Sequence, residues 1–516
     1  LIGQSISNCY RSSHLPLHFT PNSIKLSITY TLHHLPRNCS PNCPIPALSM
    51  FSRKQQATQF QIVERKCEMP RTKESYHKSY PLIIQFRYII LIISTLSVWF
   101  LLLTWLRSSP ATIYINQSYS NLSFSRSACQ ASIYMYQLPA KFNVGFLGNC
   151  TYLNVYTNMC PHVANHGLGQ PVSHTGPTGW FATHQFLAEM IFHARVENHP
   201  CRTWDPAMAN LFYVPFYGGL HASSKFREAN YTARDELAVQ LVNHVTSEPW
   251  WQKHHGKDHF MALGRTAWDF MRSPSVPDFG ANNLLNLPAV KNMSVLTVER
   301  HPWNGLNQYG IPYPSYFHPS KVQQIATWQE YVNKTQRPYL FSFIGAPRKG
   351  LQKARIRDEL IAQCDRSSRC NLMRCGTAGA SKCHDPGEII RVMSRSRFCL
   401  QAPGDSFTRR STFDSILAGC IPVFFSPHTA YTQYAWYLPE DRNEYSVYVD
   451  EKAVNDGVGV EEVLKRIGKE KVKRMRERVI EMIPRVTYGY PNRTGAGQFL
   501  DAVDVAISEL GRHVQS

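Results

Sequence analysis

Residues 88–106, YIILIISTLSVWFLLLTWL, are apolar and uncharged over nineteen positions, with Arg87 and Arg107 at the two ends. At 1.5 Å per residue the run reaches about 28 Å, close to a hydrocarbon core of about 30 Å, so it predicts a membrane-spanning helix. Beyond it the apolar residues come in shorter packets. Residues 398–401 and 421–425 are compact apolar runs; between them Pro403-Gly404-Asp405 breaks the chain, and 408–418 places Phe413, Ile416 and Leu417 at helical spacing. Gly419 ends that helix, and the whole predicts a strand, helix and strand of the buried parallel kind. Another strand at 339–344 runs through Gly345-Ala346-Pro347-Arg348-Lys349-Gly350 into a helical run at 353–363. The charged stretch 461–482 repeats Val463, Leu464, Ile467, Val472, Met475, Val479 and Met482 at helical intervals and predicts a scaffold helix. A last helix is expected at 498–510, closing the C-terminal domain.

About 390 residues follow the apolar run and its polar flank, more than one hydrophobic core usually serves, so two domains are expected. They are assigned to 129–329 and 330–516, with the boundary marked by turn-rich 301–319 and its prolines at 302, 312, 314 and 319. Residues 107–128 read as a stem. Between 51 and 87 eight Lys or Arg face three Glu, whereas Arg126 is the only charge from 108 to 140, so 50–87 is expected to be a cytosolic tail and the bulk of the chain lumenal. The first methionine is Met50, and 1–49 shows no periodic apolar face, so that segment is expected to be untranslated or disordered. Asn-x-Ser/Thr triplets at Asn116, Asn121, Asn149, Asn230, Asn292, Asn333 and Asn492 fit a lumenal exposure. Ten cysteines follow the apolar run. Cys364, Cys370, Cys375 and Cys383 beside His384 lack the paired spacing of structural zinc sites, and disulfides are expected, with the pairing open.

The net charge of +19 includes twelve basic and three acidic residues in 1–107, which leaves +10 for the remainder. Such a balance attracts anions. Nucleic acid is excluded as the partner, since no basic stripe accompanies a recognition helix. The helix predicted after Gly404 instead offers unpaired N–H groups and a positive dipole end to an anion, with Ser406, Thr408, Arg409 and Arg410 around it. The bland alternative is an ordinary turn with solvated arginines. Asp414, four residues after Arg410, would hold that guanidinium or accept bonds from a ribose. Gly345 and Arg348 form a second candidate for the same diphosphate.

These motifs resemble those of the exostosin-type glycosyltransferases, in particular the plant branch with the xyloglucan galactosyltransferases. The resemblance runs from Cys129 to the C-terminus, through Cys160-Pro161-His162, Gly179-Trp180-Phe181, the segment from Ala209 to Gly219, Lys257-Asp258-His259-Phe260, Gly264-Arg265-Thr266-Ala267-Trp268-Asp269, Arg337 to Gly345 and 396–425. It implies an α/β fold of the GT-B type, two Rossmann-like domains facing across a cleft behind an N-terminal transmembrane helix. It also implies a single-pass type II Golgi enzyme that moves galactose from UDP-galactose to xyloglucan with inversion, in complexes with other Golgi glycosyltransferases. Alternatives are another UDP-sugar or cell-wall acceptor, or a non-catalytic lumenal carbohydrate-binding subunit.

Departure of a nucleoside diphosphate loads charge on phosphate that something positive must stabilise. The chain contains no Asp-x-Asp, so no cofactor and no obligatory metal is expected, and Arg348, Arg410 and the helix N-terminus are assigned the role. Inversion needs a base; Asp269 is the leading candidate, with His221 and Asp258-His259 in reserve. Trp180, Trp250, Trp251 and Trp303 are candidate sugar platforms, against the commoner fate of aromatics as core.

Overall fold

The computed structural model describes residues 82–107 and 129–515, except 173–177, 274, 276–279, 349, 351–353, 377–379 and 493–498. The predicted tail up to residue 81, the stem after residue 107, the start at Met50 and the sequons Asn116 and Asn121 lie outside the described residues, whereas 82–87 of the predicted tail belong to the helix Leu82–Arg107. The apolar run sits in a helix, Leu82–Arg107, whose described side chains, at 90–102, are exposed. Among the described residues no helix is long and apolar enough to cross a membrane.

By contacts the chain divides into 1–86 and 87–516. The second unit holds two wholly parallel sheets. In the first, β1 (Ile133–Met135), β2 (Arg202–Thr203), β3 (Leu211–Tyr213), β4 (His259–Thr266), β5 (Ser294–Glu299) and β6 (Gln308–Gly310) lie in the order β2-β1-β3-β4-β5-β6. In the second, β7 (Tyr339–Gly345), β8 (Cys370–Arg374), β9 (Ser396–Gln401), β10 (Ile421–Phe424) and β11 (Val447–Tyr448) lie in the order β11-β10-β9-β7-β8. The central strands are apolar on both faces because helices cover both, which is why their sequences read as unbroken hydrophobic runs. The strand, helix, strand unit predicted after Ser396 is present: β9 and β10 are parallel neighbours, with Ile421 opposite Phe398, joined through helix Arg410–Leu417.

Strand order reverses between β7 and β9, and in open parallel sheets ligands settle outside the carboxyl ends at such a point. Buried Arg337 fixes the far end of the same layer. Its guanidinium donates to the carbonyls of Val332, Met393, Ser396 and Ala418, gathering the C-terminal ends of three helices on one cation. Burial pulls its pKa down to about 9.

Two helix expectations change. The stretch 461–482 is two helices, Val460–Lys465 and Lys469–Glu481, because Gly468 interrupts the apolar period and serves as the N-cap of the second. The last helix, Ala502–Gln515, lies against elements of the first sheet: Arg195 on helix Ala188–Glu197 pairs with Asp501 and Asp504, and His513 meets Tyr309 of β6. It therefore ties the chain end back to the first layer instead of closing only the second.

All ten cysteines are paired, as Cys129–Cys201, Cys150–Cys160, Cys364–Cys370, Cys375–Cys383 and Cys399–Cys420. Cys364, Cys370, Cys375 and Cys383 are thus spent on disulfides. The last bridge joins β9 to the residue before β10 and closes the loop that carries the site. Asn149, Asn230, Asn292, Asn333 and Asn492 are exposed.

Candidate active site

The loops leaving β7 and β9 bring three arginines together. Arg348 follows β7 and pairs with Asp405 at 3.3 Å, both largely exposed, at 46 and 69 %. Arg409, from the β9 loop, is largely buried, and its Nε has no partner among the described residues. Arg357 reaches in from helix Ile356–Asp365, donates from Nε to the Ala346 carbonyl at 2.9 Å, and is drawn down to about 10 by burial and by the charges of Arg409 and Arg348. Glycine makes this possible twice. A Cβ at Gly404 would lie 1.2 Å from an Arg409 nitrogen, and one at Gly345 would lie 2.4 Å from an Arg357 nitrogen. Of the three only Arg348 pairs directly with Asp405, whose charge also reaches Arg409 and Arg357, and an exposed pair of this kind is worth only about 0–1 kcal/mol.

The other predicted donor-side residues are used differently. Ser406 sits in the turn, its carbonyl accepting from Gly404 N–H at 3.0 Å. Thr408 is buried, and its N–H and hydroxyl both donate to Glu299 at the end of β5, at 2.8 and 2.5 Å. Arg410 faces the first layer: it donates to the Thr183 carbonyl at 3.0 Å, bonds the Tyr316 hydroxyl and lies over that ring. Asp414 is buried, accepts from Ser315 at 2.5 Å and lies 3.5 Å from Arg410; burial raises its pKa. Its partners are Ser315 and Arg410, the guanidinium-holding use of the two foreseen. Arg348, Arg409 and Arg357 are thus the cations gathered by the loops after β7 and β9, while Arg410 is engaged by Thr183, Tyr316 and Asp414.

Asp269 follows the end of β4 in the first layer. Asp269 accepts from Arg265 at 2.7 Å and Thr266 at 3.2 Å, both on Oδ2. Tyr313 hydrogen-bonds Thr408 at 2.9 Å, and burial first, then the charges of Glu299 and Asp269, oppose its ionisation. His221 lies past β3, buried and stacked on Phe146, its Nδ1 without a partner among the described residues; burial and Lys225 lower its pKa to about 4, so it is neutral. Asp258 and His259 are at the opposite, N-terminal end of β4, closed into a chain with His254 and Tyr136 at 2.8 Å per link. That end of the sheet faces away from the loops just described.

Sequence reasoning missed Arg357, Glu299 and Glu189. Glu189 is buried and accepts from the N–H groups of Gly219, Leu220 and Gly264 at 2.7–2.9 Å. It plugs the N-terminus of helix Gly218–Lys225, the position in the first layer where an exogenous anion would otherwise sit. Of the four tryptophans, Trp180 and Trp251 are core and Trp250 is half-buried against Phe212, whereas Trp303 is 60 % exposed.

The Exostosin GT47 domain model matches residues 129–467. The chain belongs to the exostosin GT47 family. Among GT47 relatives, "Probable xyloglucan galactosyltransferase GT17" of Arabidopsis thaliana is 62 % identical over 74 % of this chain and 83 % of its own length. "Xyloglucan galactosyltransferase MUR3" of the same plant is 45 % identical over 73 % of this chain and 61 % of its own. "Xyloglucan-specific galacturonosyltransferase 1", also from that plant, is 37 % identical over 80 % of this chain and 62 % of its own.

Proposed function

We propose that this GT47 protein is a xyloglucan galactosyltransferase, an inverting enzyme of GT-B architecture that takes galactose from UDP-galactose. The observation that carries the reading is the cluster of Arg348, Arg357 and Arg409 at the switch point of the second sheet, in a chain 62 % identical to a relative bearing that name. The donor diphosphate displaces Asp405 and lies among the three guanidinium groups. Their fixed positive charge is worth most when the β-phosphate gains charge as the glycosidic bond breaks, and no divalent ion is then obligatory. Asp269 acts as the base: Arg265 and Thr266 hold its Oδ2, which leaves Oδ1 for the acceptor hydroxyl. Glu189 explains why the donor goes to the second layer, since the first layer's helix terminus already holds a carboxylate.

On the same reading the uncharged run 88–106 and the excess of basic residues before it support a type II anchor in the Golgi membrane with the domains lumenal, and five disulfides suit an oxidising compartment. Complexes with other Golgi glycosyltransferases belong to the same reading. A second reading, with another UDP-sugar such as UDP-galacturonate, is favoured by the galacturonosyltransferase among the relatives. Incubating the full chain with a panel of UDP-sugars and xyloglucan oligosaccharides, with mass readout and with chelator present, decides between them. A hexose increment from UDP-galactose alone supports the first reading. An increment from another donor supports the second, and none from any donor rejects both, leaving a non-catalytic binding subunit.

A further inference from the structure

We infer that Trp303, ringed by Trp268 and His301 from the first layer and Phe407 and His428 from the second, forms an acceptor subsite that stacks a pyranose of the glycan chain. This rests on the transfer reading above and adds where the acceptor is gripped. Trp303 is mostly exposed, yet four rings lie at 5.3–6.4 Å from it and stand at 67–85° to its plane, so a large aromatic surface is held in one orientation while open to solvent. Preorganised aromatic area is the usual receptor for the apolar face of a sugar.

The position is specific. Trp268 directly precedes Asp269, and Phe407 directly precedes Thr408 of the arginine-bearing loop, so the ledge borders both the candidate base and the donor cradle. Trp268 is itself pinned by donating its indole N–H to Glu299 at 2.6 Å, the same carboxylate that holds Thr408. Burial lowers the pKa of both histidines of the ledge, and the charge of Arg300 adds to this at His301.

The test compares wild type, Trp303→Ala and Trp303→Phe in the full chain, with a xyloglucan oligosaccharide as probe. Trp303→Ala is expected to raise the acceptor KM about tenfold or more, with UDP binding retained, and Trp303→Phe to recover most of the loss. Titration without donor is expected to perturb tryptophan fluorescence in wild type and not in Trp303→Ala. Transfer by wild type with the same acceptor KM in Trp303→Ala overturns the subsite while the transfer reading stands. Oligosaccharide binding that needs Trp303, with no transfer from any donor, supports the subsite and rejects the transfer reading instead.

Discussion

Adding one methyl group at position 404 tests the donor site at its tightest point, because the Arg409 guanidinium occupies the space that a Cβ would fill. Gly404→Ala is expected to displace Arg409 and weaken UDP binding while leaving the fold intact, and calorimetric titration with UDP beside a melting curve checks both. Arg348 and Arg409 were legible in the sequence because they adjoin the Gly-containing turns after two apolar strands. Arg357 was not, since it comes from the following helix and reaches back beneath Gly345, a return that local periodicity does not encode. Glu299 was hidden for a similar reason: its partners Thr408 and Trp268 are remote in sequence. Glu299→Gln keeps the shape but removes the charge that accepts both Thr408 bonds. It is expected to loosen the arginine-bearing loop and raise the KM for donor and acceptor together; a change in only one would argue against a shared post.

Strands and helices were readable wherever one period ran unbroken, as in β7, β9, β10 and the helix between the last two. The failures have physical causes. Gly468 split an otherwise continuous apolar pattern, and the last helix was assigned to its sequence neighbours although buried Arg195 draws it elsewhere. Glu189 shows an element-level device: a helix N-terminus satisfied from within. Burial raises its pKa from 4.5 to about 7. A carboxyl whose folded pKa is raised contributes stability that is fully present below the unfolded pKa and lost as pH rises through the folded one. Between about pH 4.5 and 7 the wild-type melting temperature should therefore fall relative to that of Glu189→Gln. Parallel melting profiles for the two proteins across that range would show that burial does not raise the folded pKa of Glu189.

At the scale of the whole molecule, the unit 87–516 is held together by buried polar posts as well as by its core. Arg195 with Asp501 and Asp504 is the clearest, and removing one partner from a buried pair typically costs about 3–5 kcal/mol. Asp501→Ala should accordingly lower the chemical denaturation midpoint without touching the donor site, and an unchanged midpoint would contradict the clamp. Arg410 and Thr408 serve the same end near the reaction centre, linking the layers through Thr183, Tyr316 and Glu299. On the proposed reading the layers jointly offer an anion seat in the second and a carboxylate, Asp269, after the end of β4 in the first. The most direct test of that seat is calorimetric titration of the full chain with UDP in the presence of chelator, for wild type and Arg409→Ala. A charge-assisted hydrogen bond is worth about 1.5–3 kcal/mol, so binding should persist in wild type without divalent ions and weaken about tenfold to a hundredfold in the variant. Equal affinities, or wild-type binding that requires a divalent ion, would contradict the account.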